Sequence, residues 1–185
     1  MEQIVLASGS PRRRELLGML GYQFEILPAD ADESIPAGTP ENEITAILSR
    51  RKADAVALLR PGKLIVAADT IVVFDGTVLG KPKDSADYER MIRMLSGRTH
   101  HVYTGVTLIL GDKIRTEVCD TAVTFAELTE DEISAYVASG EGLDKAGAYG
   151  AQGLGARLIE KIEGDFFNVV GLPLRTLSVM LRDFK

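Results

Sequence analysis

Hydrophobic and polar positions change period repeatedly along this chain, and each change marks an element. Gln3 to Ala7 reads as a first strand, and Ser8-Gly9-Ser10 as a turn of small residues. Ser10 is suited to cap a helix and Pro11 to open it. Leu16, Leu17 and Leu20 then recur at helical spacing. Phe24 and Ile26 suggest a second strand that runs into the acidic segment Asp30-Ala31-Asp32-Glu33. A long helix is expected next, with Ile44, Ile47, Leu48 and Ala55 on one face. Leu64-Ile65-Val66-Ala67-Ala68 is a continuous apolar run, the pattern of a strand buried on both faces, and it stops at Asp69.

Beyond it, Ile71–Phe74 and Thr77–Leu79 flank Asp75-Gly76, a strong hairpin signal. A helix is predicted from about Ser85 to Leu95, with Tyr88, Met91, Ile92 and Leu95 inward and Gly97 past its end. Strands near His101–Leu110 and Ile114–Phe125 are joined at Gly111-Asp112. Thr129 to Glu132 spells a capping box for a short helix. The glycine-rich stretch from Gly147 to Gly155 leads to a strand near Arg157–Ile162. Leu172-Pro173-Leu174 opens a last helix, with Leu174, Leu177 and Leu181 inward. Helix–strand alternation asks for parallel pairs and the hairpins for antiparallel ones. The expected fold is therefore α/β, a mixed sheet flanked by helices, in a single domain over residues 1–185. Ligands on such sheets bind beyond the carboxyl ends of strands. Ser8–Arg13 and Asp69-Thr70 are the candidate positions.

Composition narrows the classes of function. No apolar run approaches the length that spans a bilayer, and Met1 to Leu6 lacks the pattern of a signal peptide. Cys119 is the only cysteine, which excludes an internal disulfide and suits a reducing, cytoplasmic compartment. It sits in an apparent strand, where a structural role is expected. A formal charge of −6 argues against broad nucleic-acid binding, which draws on many Lys and Arg contacts to phosphate. A local basic cluster can still hold a small anion.

Arg12, Arg13 and Arg14 form such a cluster in the first turn of the first helix. Positive charge there opposes the helix dipole, and free N–H groups already suit an anion. The arginines fit a phosphate chain, which guanidinium groups grip in a bidentate way; the alternative is a solvated basic turn. Successive helical residues diverge in direction, so Arg14 is expected to point outward. Asp69 either caps a turn or works as an active-site carboxylate. Glu33 either is solvated or joins Asp69 in holding a hard cation such as Mg²⁺. Lys52, in Arg50-Arg51-Lys52, reads as part of a solvated helical face. Lys81, held extended by Pro82, is a better candidate for function. The glycine stretch matches neither a dinucleotide fingerprint nor a P-loop. It suits close approach of backbone to a ligand, and Gln152 within it carries donors and an acceptor fit for a base edge. His100 and His101 face opposite sides of a strand and lack partners at metal-ligand spacing, so both read as structural.

Taken together, the motifs resemble the Maf family of nucleotide pyrophosphatases. Ser8-Gly9-Ser10-Pro11-Arg12-Arg13-Arg14-Glu15-Leu16-Leu17 is similar to its N-terminal signature, Ala68-Asp69-Thr70 to its acidic motif and Gly80-Lys81-Pro82 to its lysine motif. Leu95–His100, Tyr103–Val106, Asp144–Tyr149, Gln152-Gly153 and Val169–Pro173 follow in the family's order. The resemblance implies an elongated sheet with a cleft between two lobes, like the inosine triphosphate pyrophosphatases. It also implies Mg²⁺ or Mn²⁺ and a homodimer. The implied activity is hydrolysis of dTTP and UTP to monophosphate and pyrophosphate. Asp69, Glu33, Lys52 and Lys81 would be catalytic, with Glu33 and Asp69 on the metal. Ser8, Arg12, Arg13, Thr70 and Gln152 would bind substrate, with Arg12, Thr70 and Gln152 governing base choice. The alternatives are a pyrophosphatase for noncanonical purine triphosphates and a non-catalytic nucleotide-binding regulator of cell division. Neither membrane nor nucleic acid is an expected partner.

Overall fold

Strand β1, Ile4–Leu6, is the first element in the computed structural model, which describes residues 4–184. Gln3, expected to start this strand, lies outside the described residues. Helix α1 covers Pro11–Met19, capped at Ser10 and buried through Leu16 and Leu17. Next come β2 (Phe24–Ile26), α2 (Glu41–Leu59), β3 (Leu64–Phe74), β4 (Thr77–Leu79) and α3 (Ser85–Leu95). The long strands β5 (Thr99–Leu110) and β6 (Lys113–Phe125) are followed by α4 (Glu130–Ser139), β7 (Ile159–Glu163), α5 (Phe166–Val170) and α6 (Leu174–Arg182). The strand order is β2-β1-β3-β5-β6-β7, with β4 paired to β3 off this path. β1 pairs in parallel with both β2 and β3, whereas β4 meets β3, and β7 meets β6, antiparallel. The mixed α/β sheet with helices around it is thus as expected.

The residues group into two compact units: those up to 70, 104–119 and from 167 onward, and those at 71–103 and 120–166. In the first unit, Val5, Ala7, Ala53, Val56, Ile65, Ala67 and Ile109 pack into one core cluster. Here α2 departs from the sequence reading. Its fully buried positions are Thr45, Leu48, Ser49, Ala53 and Val56, while Ile44, Ile47 and Ala55 are half-buried. The reason is close packing on β5, because a Cβ added at Gly105 would lie 2.3 Å from the Thr45 carbonyl oxygen. Small side chains must line that contact, and Ser49 joins it through a 2.9 Å hydrogen bond to Thr107. Of the four apolar positions expected inward, only Leu48 is among the buried ones, and the buried face is turned away from the other three. In the same unit, α6 buries Leu174, Leu177 and Leu181 as predicted, and Cys119 lies half-buried with its sulfur 3.0 Å from the Thr176 hydroxyl.

In the second unit, Asp75 and Gly76 both take positive φ, 47° and 70°, as the tight β3–β4 turn demands. Tyr88 of α3 and Tyr136 of α4 meet edge to face at 5.8 Å. Thr129 and Glu132 form the predicted capping box. His100, Phe125 and Tyr149 form a buried edge-to-face trio. The His100 ring donates to or accepts from the Tyr149 hydroxyl at 2.8 Å, and its Nδ1 has no hydrogen-bond partner among the described residues. Burial, reinforced by the charge of His101, holds the His100 imidazole down to about 4. His101, one residue on, is exposed and bonds Asp120. The glycine-rich segment is not a plain loop. It holds two 3₁₀ turns, Ala146–Ala148 and Gly153–Leu158.

Candidate active site

Asp69 and Thr70 do not end a strand. They lie inside β3, which continues to Phe74, and this corrects the reading of Asp69 as a terminus. A polar pair in an apolar run looks like a boundary in sequence, but backbone pairing carries the strand through it. Consecutive strand residues project to opposite sides, and the two side chains accordingly have separate partners. Both clusters lie in the first unit.

On one side, Asp69 is buried and its Oδ1 accepts a hydrogen bond of 2.6 Å from Lys52 Nζ. The same ammonium lies 2.8 Å from Glu33 Oε1. Lys52 is therefore not part of a solvated face: α2 turns it inward, with 16% of its side chain exposed. Burial works against its charge, but Asp69 and then Glu33 outweigh burial and raise its pKa above the usual lysine value. Asp69 Oδ2 takes no hydrogen bond from any described residue. Glu33 itself is largely exposed, in the loop between β2 and α2. Arg51, one residue before Lys52, steadies that loop by donating to the Ser34 carbonyl at 2.6 Å.

On the other side, Arg13 is anchored by three groups. Its Nε donates to the Gly171 carbonyl at 2.8 Å, one Nη to Thr70 Oγ1 at 3.0 Å and the other to Ser8 Oγ at 3.4 Å. Thr70 Oγ1 also meets Thr104 Oγ1 at 2.9 Å, and Thr104 donates to the Asn168 carbonyl at 3.1 Å. Since the single Thr104 proton goes to that carbonyl, Thr70 must be the donor to Thr104. The chain of donation runs one way, from Arg13 through Thr70 and Thr104 to the backbone of α5. Burial pulls the Arg13 guanidinium below its ordinary pKa; Asp69 opposes this and Arg12 adds to it. Gly171 takes φ of 120°, and a Cβ there would stand 3.5 Å from Thr70 Oγ1 and 3.7 Å from Arg13 Nε. Arg12 is half-buried with no side-chain partner among the described residues, and Arg14 is exposed, as predicted.

The two remaining predicted residues belong to the second unit. Lys81 is exposed and unpaired among the described residues, and the preceding Gly80 carbonyl accepts the Gly147 N–H at 3.1 Å. Gly147 is required there, because an added Cβ would come 2.9 Å from Val72 Cγ atoms. Ala148 follows with φ of 65°, a left-handed conformation that costs a non-glycine residue about 1–2 kcal/mol. Gln152 is half-buried and its carboxamide makes no hydrogen bond to the described residues. Glu141, which sequence reasoning passed over, accepts N–H groups from Leu154 and Gly155 at 2.8 Å each. Thr104 and Gly171 were also passed over as site residues, although both stand in the motifs quoted above. Glu141 stands in none of them.

Among the described residues, no group of three or more His, Cys, Asp and Glu side chains is gathered as a ready metal cage. Glu33 and Asp69 nevertheless share one cation, the Lys52 ammonium. Two carboxylates fit a hard divalent ion that completes its shell with water and substrate phosphate oxygens. No helix among the described residues is long and apolar enough to cross a membrane.

A family model for Maf-like proteins matches residues 3–184. Proteins named dTTP/UTP pyrophosphatase from Bacillus cereus (strain AH820) and Bacillus anthracis are each 48% identical over 184 residues, spanning all of this chain and 96% of theirs. Among solved structures, the Staphylococcus aureus Ham1 protein matches over the full length of both chains with a TM-score of 0.56 and 13% identity, a likeness that shows the fold alone. With the signature arginine, acidic, lysine and glycine motifs all present in order, and the match running almost end to end, the chain belongs to the Maf family.

Proposed function

We propose that this chain is a nucleoside triphosphate pyrophosphatase acting on dTTP and UTP, releasing the monophosphate and pyrophosphate. The observation that carries this reading is the buried Asp69, with one oxygen committed to Lys52 and the other open, in a chain 48% identical to proteins named for that activity. In this reading a water attacks the α-phosphorus in line. The new O–P bond forms as the bond to the bridging oxygen breaks, and pyrophosphate leaves. Asp69 orients the attacking water or takes its proton. Lys52 keeps Asp69 oriented, and its raised pKa keeps it charged throughout the neutral range.

Arg13 presents its remaining N–H groups to phosphate oxygens, and Ser8 holds it in place. Lys81 supplies further positive charge to the phosphate chain, where positioned cations act on the charge that develops in the transition state. Glu33 and Asp69 would hold Mg²⁺ or Mn²⁺, which when bound neutralises phosphate oxygens and polarises the reacting group. Thr70 and Gln152 contact the base, with Arg12 shaping that end of the site. The acidic charge and single cysteine support a cytosolic enzyme of free nucleotides; a homodimer is the assembly proposed. A panel of triphosphates assayed for pyrophosphate release tests the reading. dTTP and UTP should be the best substrates, and a preference for purine triphosphates would refute it.

A further inference from the structure

We propose that Glu141 is a positioning residue for base recognition, acting through Gln152; this rests on the reading that Gln152 meets the base. The Glu141 carboxylate ties down both arms of the segment that carries Gln152. After Gln152, Oε2 accepts the Leu154 N–H and Oε1 the Gly155 N–H, each at 2.8 Å. Before Gln152, the link runs through Tyr136, whose hydroxyl donates to Glu141 Oε1 at 3.2 Å and accepts the Gly150 N–H at 3.4 Å.

The backbone is shaped to let this happen. A Cβ on Gly153 would lie 2.6 Å from Glu141 Oε2, and φ there is 74°. A Cβ on Gly155 would lie 2.2 Å from the Gly150 carbonyl oxygen and 2.9 Å from the Tyr136 hydroxyl. Two glycines are therefore needed for one carboxylate to close the loop. At its apex stands a carboxamide with no hydrogen-bond partner among the described residues. A segment fixed on both arms around an unengaged side chain presents that side chain, and the entropy of ordering it is spent before ligand arrives. A carboxylate suits the place because both of its oxygens accept, here from three donors. In Glu141→Gln, an NH₂ group would face one of those N–H groups.

The test compares Glu141→Gln, Gln152→Ala and the double variant by steady-state kinetics on dTTP and UTP. Glu141→Gln should raise KM about tenfold, with kcat moving far less. The double variant should be no worse than Gln152→Ala alone, because the effect passes through Gln152. If Gln152→Ala leaves KM and base preference untouched, the underlying reading of Gln152 fails. If Gln152→Ala raises KM while Glu141→Gln does not, or the two effects add in full, the role of Glu141 is overturned. Should Glu141→Gln not fold, hydrogen exchange in the unsubstituted protein decides. Leu154 and Gly155 amides should exchange slowly together, and rapid exchange at either overturns the proposal.

Discussion

Arg13 shows how much of a site one side chain can organise. Its fork is held by a backbone carbonyl and two hydroxyls, so the orientation of its remaining N–H groups is set before ligand arrives. A lysine has the charge but not the fork. Arg13→Lys should therefore raise KM for dTTP by about tenfold or more, as steady-state kinetics would check. An unaltered KM would remove the anchored fork from substrate binding. Asp69→Asn keeps the shape and removes the proposed proton acceptor. It should fold, as circular dichroism would report, and lose kcat by roughly 10²–10⁴-fold. His100 makes a prediction about stability. Its pKa falls from an ordinary value of about 6.5 in the unfolded chain to about 4 in the fold. Below the unfolded value, the unfolded state binds more protons, so stability is complete above about pH 6.5 and declines toward about pH 4, by on the order of 3 kcal/mol. Denaturant titrations across that window should show the slope. His100→Gln, which keeps a partner for Tyr149 without titrating there, should remove its share.

Elements were legible in the sequence where local chemistry fixes them, and misread where packing does. The capping box at Thr129 and the Asp75-Gly76 turn act over a few residues, and both are as predicted. The buried face of α2 depends on a glycine in a distant strand, so periodicity of large apolar residues could not locate it. The continuity of β3 through Asp69 likewise depends on neighbouring strands that satisfy its backbone. Helix α5, five residues long, is too short to leave a periodic trace. The α2–β5 contact gives its own test. Gly105→Ala forces a methyl group into the Thr45 carbonyl and should destabilise the protein by about 1–3 kcal/mol, the range for overpacked sites. Urea unfolding would measure it, and a change near zero would mean that helix and strand are free to separate.

For the molecule as a whole, sequence motifs identified the parts and the structure supplied their connections. Ser8, Arg13 and Thr70 are joined by hydrogen bonds, as Glu33, Lys52 and Asp69 are by ion pairs. Neither linkage follows from spacing along a chain in which these residues are up to 62 positions apart. The role of Lys52 shows this best: among basic neighbours it looks solvated, yet it is the cation that two acids share. All of these assignments serve one chemical claim, that water is delivered to the α-phosphorus. The most direct measurement is hydrolysis of dTTP in ¹⁸O-labelled water with the products identified by mass spectrometry. The account predicts dTMP carrying the label and unlabelled pyrophosphate. Labelled pyrophosphate, or dTDP with free phosphate, would contradict it.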